Sequence, residues 1–299
     1  EDSTEEGRRL RLMQEYFMVS AGIQSIIRHY KKKISTDLRK FDKYVAIHIN
    51  DTHPALVIPE LMRILMDEEG LSWRAAWHVT VRTVAYTNHT VLPEAMEKWS
   101  IPMFKSLLPR IYLIVDEINR RWLRFVRKRF PNDEELAANV AVLWDGQVHM
   151  AHLAVLGSHS INGVAEIHSQ ILKDSTLHHF YRCFPNRFSN KTNGISHRRW
   201  LIQSNPQLAS VLDDTIGTKW RQEPKRLIDF EAYADDGSVR DTLAAVKKKR
   251  KEILCTYIKD KYGLVIDTQS IFDIQIKRIH LYKRQLLNVL HIIALYQKL

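Results

Sequence analysis

The chain has 299 residues, is 45% apolar and carries a formal charge of +11, so it is long enough for two domains or parts of two and too apolar for a disordered chain. It contains no uninterrupted apolar run of membrane-spanning length, and its two cysteines, Cys183 and Cys255, are too few for a disulfide framework or a zinc site. With no secretory signal at the start, these features predict a soluble protein of the cytoplasm.

In chain order, Leu10 to Tyr30 reads as one long helix. Tyr44–Ile49 (YVAIHI) alternates like a strand and runs into Asn50-Asp51-Thr52-His53-Pro54, polar groups at a strand exit, where open α/β sheets place ligands. A helix follows to about Glu69, Ser72 is suited to cap the next short helix, and His78–Tyr86 (HVTVRTVAY) predicts a second strand ending in Thr87-Asn88-His89-Thr90. Pro102 to Phe130 is patterned as amphipathic helix. Val140–Leu143 and Val148–Leu156 predict paired strands around the turn dipeptide Asp145-Gly146, and Gly157–Leu172 a loop feeding a helix. Asn193-Gly194, within NKTNGISHRRW (190–200), marks a turn and a domain boundary; from there to about Tyr262 the pattern is helical with loops. Phe272, Ile274 and Ile276 then alternate with Asp273 and Gln275 as a strand that meets Lys277, Arg278, Lys283 and Arg284, before apolar residues from Leu286 to Leu295 take up helical spacing. Strands alternating with helices predict an α/β fold with a mostly parallel sheet. The chain opens on Glu1 without an initiator methionine and stops at Leu299 inside a helical pattern, so a fragment is expected.

The positive charge invites a nucleic-acid reading, with Lys247–Lys251 (KKKRK) as its exhibit, but Leu243, Val246, Ile253, Leu254 and Ile258 around that run mark it as the wet face of a helix. Dinucleotide, P-loop, HExxH and nucleophile-elbow motifs are all absent. His48, Asp51 and His53 lie close together, as do His149 and His152, yet strand alternation sends the second pair to opposite faces, which argues against a metal. No glycosidase pair of carboxylates can be picked out; Asp51 is the best single candidate and reads equally as an Asx-turn or cap at the strand's end. Four cations within 277–284 are costly, since each like-charged pair at about 4 Å in an effective dielectric near 20 repels by about 4 kcal/mol. Either they splay apart on a solvated turn, or they face a cleft and hold an anion of charge near −2 by charge-assisted bonds of roughly 1.5–3 kcal/mol each. In the second case a following helix N-terminus adds its own attraction.

The stretches INDTHPALVIPELMRIL (49–65), AYTNHTVLPEAMEKW (85–99), VHMAHLAVLGSHSINGVAEIHS (148–169), NKTNGIS (190–196) and FDIQIKRIHLYKRQLLNVLHI (272–292) resemble the α-1,4-glucan phosphorylases of glycogen, starch and maltodextrin, in the family's own order. The resemblance implies a pyridoxal 5′-phosphate enzyme that transfers a terminal glucosyl unit from an α-1,4-glucan to inorganic phosphate, reversibly and with retention, releasing α-glucose 1-phosphate. In that family the cofactor's 5′-phosphate exchanges a proton with the substrate phosphate, so two anions sit side by side and the cations offset their repulsion. By motif, Lys277 and Lys283 resemble the lysines at the cofactor phosphate, with Lys283 also counted among the catalytic groups, and Arg278 resembles the arginine that grips the substrate phosphate. His89 is similar to the histidine that contacts the sugar 6-hydroxyl and offers its carbonyl to the developing oxocarbenium. Asn193 is similar to the asparagine on the same hydroxyl, and Asp51, His53 and Tyr282 to residues lining the glucan acceptor side. No metal and no nucleic acid are expected.

Ser196-His197 stand where the family commonly has Thr-Pro, and Leu281 replaces a usual Glu. Nothing here resembles the family's Schiff-base lysine motif or its amino-terminal glycine-rich loop, so the chain alone is expected to be inactive. The resemblance implies two Rossmann-like domains with a cleft between them, as in glycosyltransferases of the GT-B type. Residues 1–193 would be the latter part of the amino-terminal domain and 194–299 the beginning of the carboxy-terminal, cofactor-binding one. The intact protein is expected to be a homodimer. Two other classes compete: a sugar-nucleotide glycosyltransferase of similar architecture, and a polyanion or nucleic-acid binder.

Overall fold

The computed structural model describes residues 4–93 and 96–299; Glu1, and Glu94 and Ala95 of the 85–99 stretch, lie outside the described residues. Backbone packing divides the chain into two compact units, one up to Gly194 and one from Ile195 to Leu299.

The first unit opens with α1 (Glu5–Lys33), where the Thr4 hydroxyl accepts the Gly7 amide and the acidic first turn and basic last turn suit the helix dipole. Leu12, Val19, Ile23, Ile27 and Tyr30 form its buried stripe. β1 (Ile47–Asn50) begins later than the alternation suggests, because a 3-10 turn over Leu38–Lys43 ends at Tyr44. α2 (Val57–Arg63) continues as a π turn through Glu68. The residues up to Thr83 that were expected as strand belong to α3 (Trp73–Thr83), capped by the Ser72 hydroxyl on the Ala75 amide. Their β-branched composition favours a strand, but Ala76, Val79, Thr80 and Thr83 bury one helical stripe, and that packing overrides propensity. Only β2 (Val84–Thr87) is extended.

β3 (Lys98–Ser100) leads into α4 (Ile101–Leu107), α5 (Pro109–Arg129) and α6 (Glu134–Asn139), followed by the hairpin of β4 (Leu143–Trp144) and β5 (Gln147–His149). Asp145 and Gly146 have φ of 49° and 68°, the double left-handed turn that matches strand twist, and β5 lies between β3 and β4 in an antiparallel sheet. Met150–Leu156 is not the second half of that strand but α7 (Met150–Leu156): almost every residue in it is buried, and a short apolar run looks alike as a buried helix or a buried strand. Within the stretch expected as a loop lies β6 (Ile161–Gly163), whose Asn and Gly carry no strand propensity. α8 (Glu166–Ile171), α9 (His178–Cys183) and β7 (Phe188–Asn190) complete the unit. The main sheet is wholly parallel, in the order β1-β2-β6-β7, with Ile49↔Tyr86 and Tyr86↔Ile161 in register. Ile49, Val84, Tyr86 and Ile161 are buried with helix residues such as Ile58 and Leu61 in one core. The fold is therefore α/β with a parallel sheet.

The second unit contains α10 (Pro206–Ile216), α11 (Gly237–Tyr262) and α12 (Gln285–Tyr296), with Ala209, Leu212 and Trp220 as a small core. Lys247–Arg250 are exposed on α11, as a wet helix face requires, while Lys251 turns to donate to the Ser270 carbonyl at 2.6 Å. The strand expected over Phe272–Ile276 is not formed. Among the described residues this unit has no strand at all, and an alternating segment without a pairing edge leaves its backbone groups to water. Ile274 and Ile276 are 56% and 88% exposed, so the segment lacks the burial that would reward pairing. No described helix is long and apolar enough to cross a membrane.

One buried charge ties α1 to α2. Glu60 is fully buried, and its carboxylate accepts from Tyr16 Oη (3.0 Å), Ser20 Oγ (2.7 Å) and Arg63 Nε (2.8 Å) and Nη2 (2.9 Å). Every acceptor site is filled, and removing the carboxylate strands a guanidinium and two hydroxyls. Glu60→Ala is expected to cost about 3–5 kcal/mol, read as a lowered urea midpoint at unchanged slope.

Candidate functional site

The carboxyl ends of β1, β2 and β6 carry a connected set of polar side chains. The Thr87 hydroxyl has one hydrogen, which goes to Asn162 Oδ1 at 2.8 Å, so the His48 Nε2–H donates to Thr87 Oγ1. Asp51 N donates to the Thr87 carbonyl and Asn88 N to the Asn162 carbonyl, both at 2.9 Å, prolonging the ladder past the strands. His89 is exposed at the β2 exit with its Nε2 bonded to Asn50 Oδ1, which fixes the ring's tautomer and direction. Exposed Asn193 is held by its own amide, which donates to the Val164 carbonyl at 2.9 Å.

Asp51 has φ of 67°, and its Oδ1 accepts the Thr52 amide at 2.7 Å. The left-handed backbone of Asp51 bends the chain here, and beyond the bend His53 reaches the half-buried acidic pair Glu15 and Glu97. His53 Nδ1 lies 3.0 Å from Glu97 Oε2 and 3.1 Å from Arg11 Nη2. One ring nitrogen cannot accept from the guanidinium and donate to the carboxylate at once; the bond to Glu97, in which a proton on Nδ1 is donated to the carboxylate, is the main cause that raises the His53 pKa. Arg11 also reaches Glu15 Oε1 at 3.1 Å. Burial first, and the neighbouring Glu97 second, push the Glu15 carboxyl up to about 8. Glu15 Oε2 and Glu97 Oε1 are buried without a hydrogen-bond partner among the described residues, and a proton kept on Glu15 removes the repulsion between the two carboxylates. Glu15, His53 and Glu97 present ligand atoms within 4.8 Å of one another, but the Arg11 guanidinium already provides the positive charge there.

His149 and His152 do not lie on opposite faces of one strand. His152 sits in α7, one turn on, with the two rings stacked at 4.8 Å. Burial lowers both pKa values, His152 to about 4, and His152 Nδ1 is committed to the Ala141 carbonyl at 2.7 Å.

In the second unit the cation loop is folded back by two glutamines. Gln285 donates to the Arg278 carbonyl (2.9 Å) and accepts from the His280 amide (3.3 Å), while Gln275 donates to the Lys283 carbonyl (3.3 Å). Lys277, Tyr282 and Lys283 line one open concavity of about 820 Å³ together with Arg284 and His291. Arg278 is not part of that lining, and Arg284, to which no ligand role was given, is. Tyr282 is held by ring contact with His280 at 4.2 Å and lies beneath the Lys283 ammonium. No carboxylate lines the concavity, so its donors, three cations of which one can bind two oxygens at once, suit a phosphate.

Sequence reasoning singled out His89, Asn193, Asp51, His53 and the cations, named Asn50 only as part of a strand exit, and did not reach Asn162, Glu15 and Glu97. Asn50 and Asn162 stand at strand exits, a legible signal. Glu15 lies on the long α1 and carries none.

A sequence model described as carbohydrate phosphorylase matches residues 1–299. The chain is 52% identical over 299 residues to the glycogen phosphorylase of Bacillus subtilis, 46% over 302 to the glycogen phosphorylase of Haemophilus influenzae, and 47% over 308 to the muscle form of glycogen phosphorylase of Ovis aries. Each alignment covers 100% of this chain, and the chain spans about 37% of the length of these relatives.

The raised Glu15 pKa has a definite sign. The folded state holds the proton more tightly than the unfolded chain, so this contribution to stability is full below the ordinary value of 4.5 and is lost as pH rises to about 8. Glu15→Gln, which keeps a donor at that place without a titration, is expected to flatten this part of the stability–pH curve, followed by urea midpoints across that range.

Proposed function

The chain belongs to the carbohydrate phosphorylase family, and from that premise we propose that it serves the reversible phosphorolysis of α-1,4-glucan to α-glucose 1-phosphate. The observation that carries this reading is the agreement with glycogen phosphorylases along the whole chain. We assign residues 1–193 to the glucan-binding side and 194–299 to the cofactor side of a GT-B-type pair of Rossmann-like domains, in a cytoplasmic homodimer.

The two sets of residues have separate tasks. Lys277 and Lys283 would hold the phosphate of pyridoxal phosphate, and the concavity's wholly cationic and neutral lining supports that fit. When bound, the cofactor supplies a phosphate able to exchange a proton with inorganic phosphate. Lys277 and Lys283 lower the repulsion between two such anions, and Arg278 orients the substrate phosphate through its planar fork. On the glucan side, the His89 ring, anchored on Asn50, presents its backbone carbonyl to positive charge growing on the sugar ring, where stabilisation counts most. Asn193 holds the 6-hydroxyl. Asp51, His53 and Tyr282 line the acceptor side, with the His53 pKa raised chiefly by its bond to Glu97.

The full-length gene product should extend a maltodextrin from glucose 1-phosphate and not from UDP-glucose or ADP-glucose; extension from a sugar nucleotide would move it to the rival class. Tight binding of generic DNA that falls steeply with salt, without glucan activity, would favour the polyanion reading. Arg278→Lys should lower kcat/KM for phosphate by on the order of a hundredfold through loss of the two-point grip, with glucan affinity little changed.

A further inference from the structure

The polar ladder at the strand exits includes a histidine that the proposed chemistry does not use. Val164 N donates to His168 Nδ1 at 3.1 Å, and His168 Nε2 lies 2.9 Å from Asn88 Oδ1. A backbone amide can only donate, so Nδ1 carries the lone pair. The ring is therefore the neutral tautomer with its hydrogen on Nε2, directed at Asn88.

Asn88 is fully buried and leaves no polar atom idle: Oδ1 also accepts the Thr90 amide (3.0 Å) and Nδ2 donates to the Tyr86 hydroxyl (3.0 Å). Asn88 immediately precedes His89. At the other end, the Val164 carbonyl accepts the Asn193 amide at 2.9 Å. One imidazole thus bridges the loop of His89 and the residue that carries Asn193. The bridge is short because α8 lies tight against the β6 exit: a Cβ on Gly163 would come within 2.9 Å of the Ser169 backbone, which only glycine permits.

We propose that His168 is a positioning residue, which as its Nε2–H tautomer ties the His89 loop to the Asn193 loop and so sets the spacing of the two groups that grip the sugar 6-hydroxyl. The inference rests on the phosphorylase reading. The titratable groups around the ring are His89, on the β2 exit, and the Tyr86 hydroxyl beyond Asn88. Burial, and secondarily His89, lower the His168 pKa, consistent with a ring that must stay neutral to accept from Val164.

The test compares kcat/KM for α-glucose 1-phosphate with that for its 6-deoxy analogue in the full-length enzyme, a ratio that cancels the amount of active protein and so survives poor folding. His168→Asn keeps an acceptor for Val164 but cannot reach Asn88; His168→Gln keeps the donor to Asn88. The 6-hydroxyl preference should fall on the order of tenfold in the Asn variant and be largely restored in the Gln variant. In the wild type it should fall as acid protonates His168, and it should not do so in the Gln variant. An unchanged preference in the Asn variant, or equal losses in both, overturns the positioning role while the phosphorylase reading stands. A wild-type enzyme without activity on glucose 1-phosphate overturns that reading and this inference with it.

Discussion

A covered parallel sheet must satisfy its polar groups at the ends of its strands, because helices close both faces and water reaches only the edges. Much of the first unit follows from this requirement. Past β1, β2 and β6 the backbone ladder continues through Asp51 to Thr87 and Asn88 to Asn162, and the side chains of His48, Thr87 and Asn162 close the remaining valences. The polar residues that finish the sheet thereby form the floor beneath exposed His89. The proposed glucan-side residue therefore stands on atoms that the sheet itself needs satisfied.

The second unit solves a different problem with different means. Its cations sit on a loop that no strand supports, and glutamine side chains substitute for a ladder: Gln285 holds the chain at Arg278 and His280, and Gln275 holds it at Lys283. Each glutamine amide has a donor and an acceptor, so one residue can replace a pair of backbone contacts. The loop therefore has a shape of its own, with Lys277, Lys283 and Arg284 on one concavity. Arg278 does not line that wall.

What was legible in the residues was the periodic and the punctuated. The α1 stripe, the Ser72 cap and the Asp145-Gly146 turn all follow from local rules. The errors share one cause, in that burial decides between helix and strand where composition is mixed. HVTVRT reads as strand yet packs as helix, MAHLAVL is apolar all round, and β6 is recognisable only by its place between β2 and β7. The same limit applies to the site. His89 and Asn193 were visible through motif resemblance, whereas Glu15 meets His53 only because α1 passes the β1 exit. The strand expected before Lys277 failed for want of a partner, which no local pattern records.

The left-handed backbone at Asp51 has a consequence for how this position can vary. Among the ordinary residues, asparagine and glycine tolerate that conformation best, and both lack a charge. Aspartate codons lie a single base change from codons for each. Natural variation at this bend can therefore strip away a negative charge while sparing the local geometry, and a lineage could alter the electrostatics of this strand exit in one genetic step.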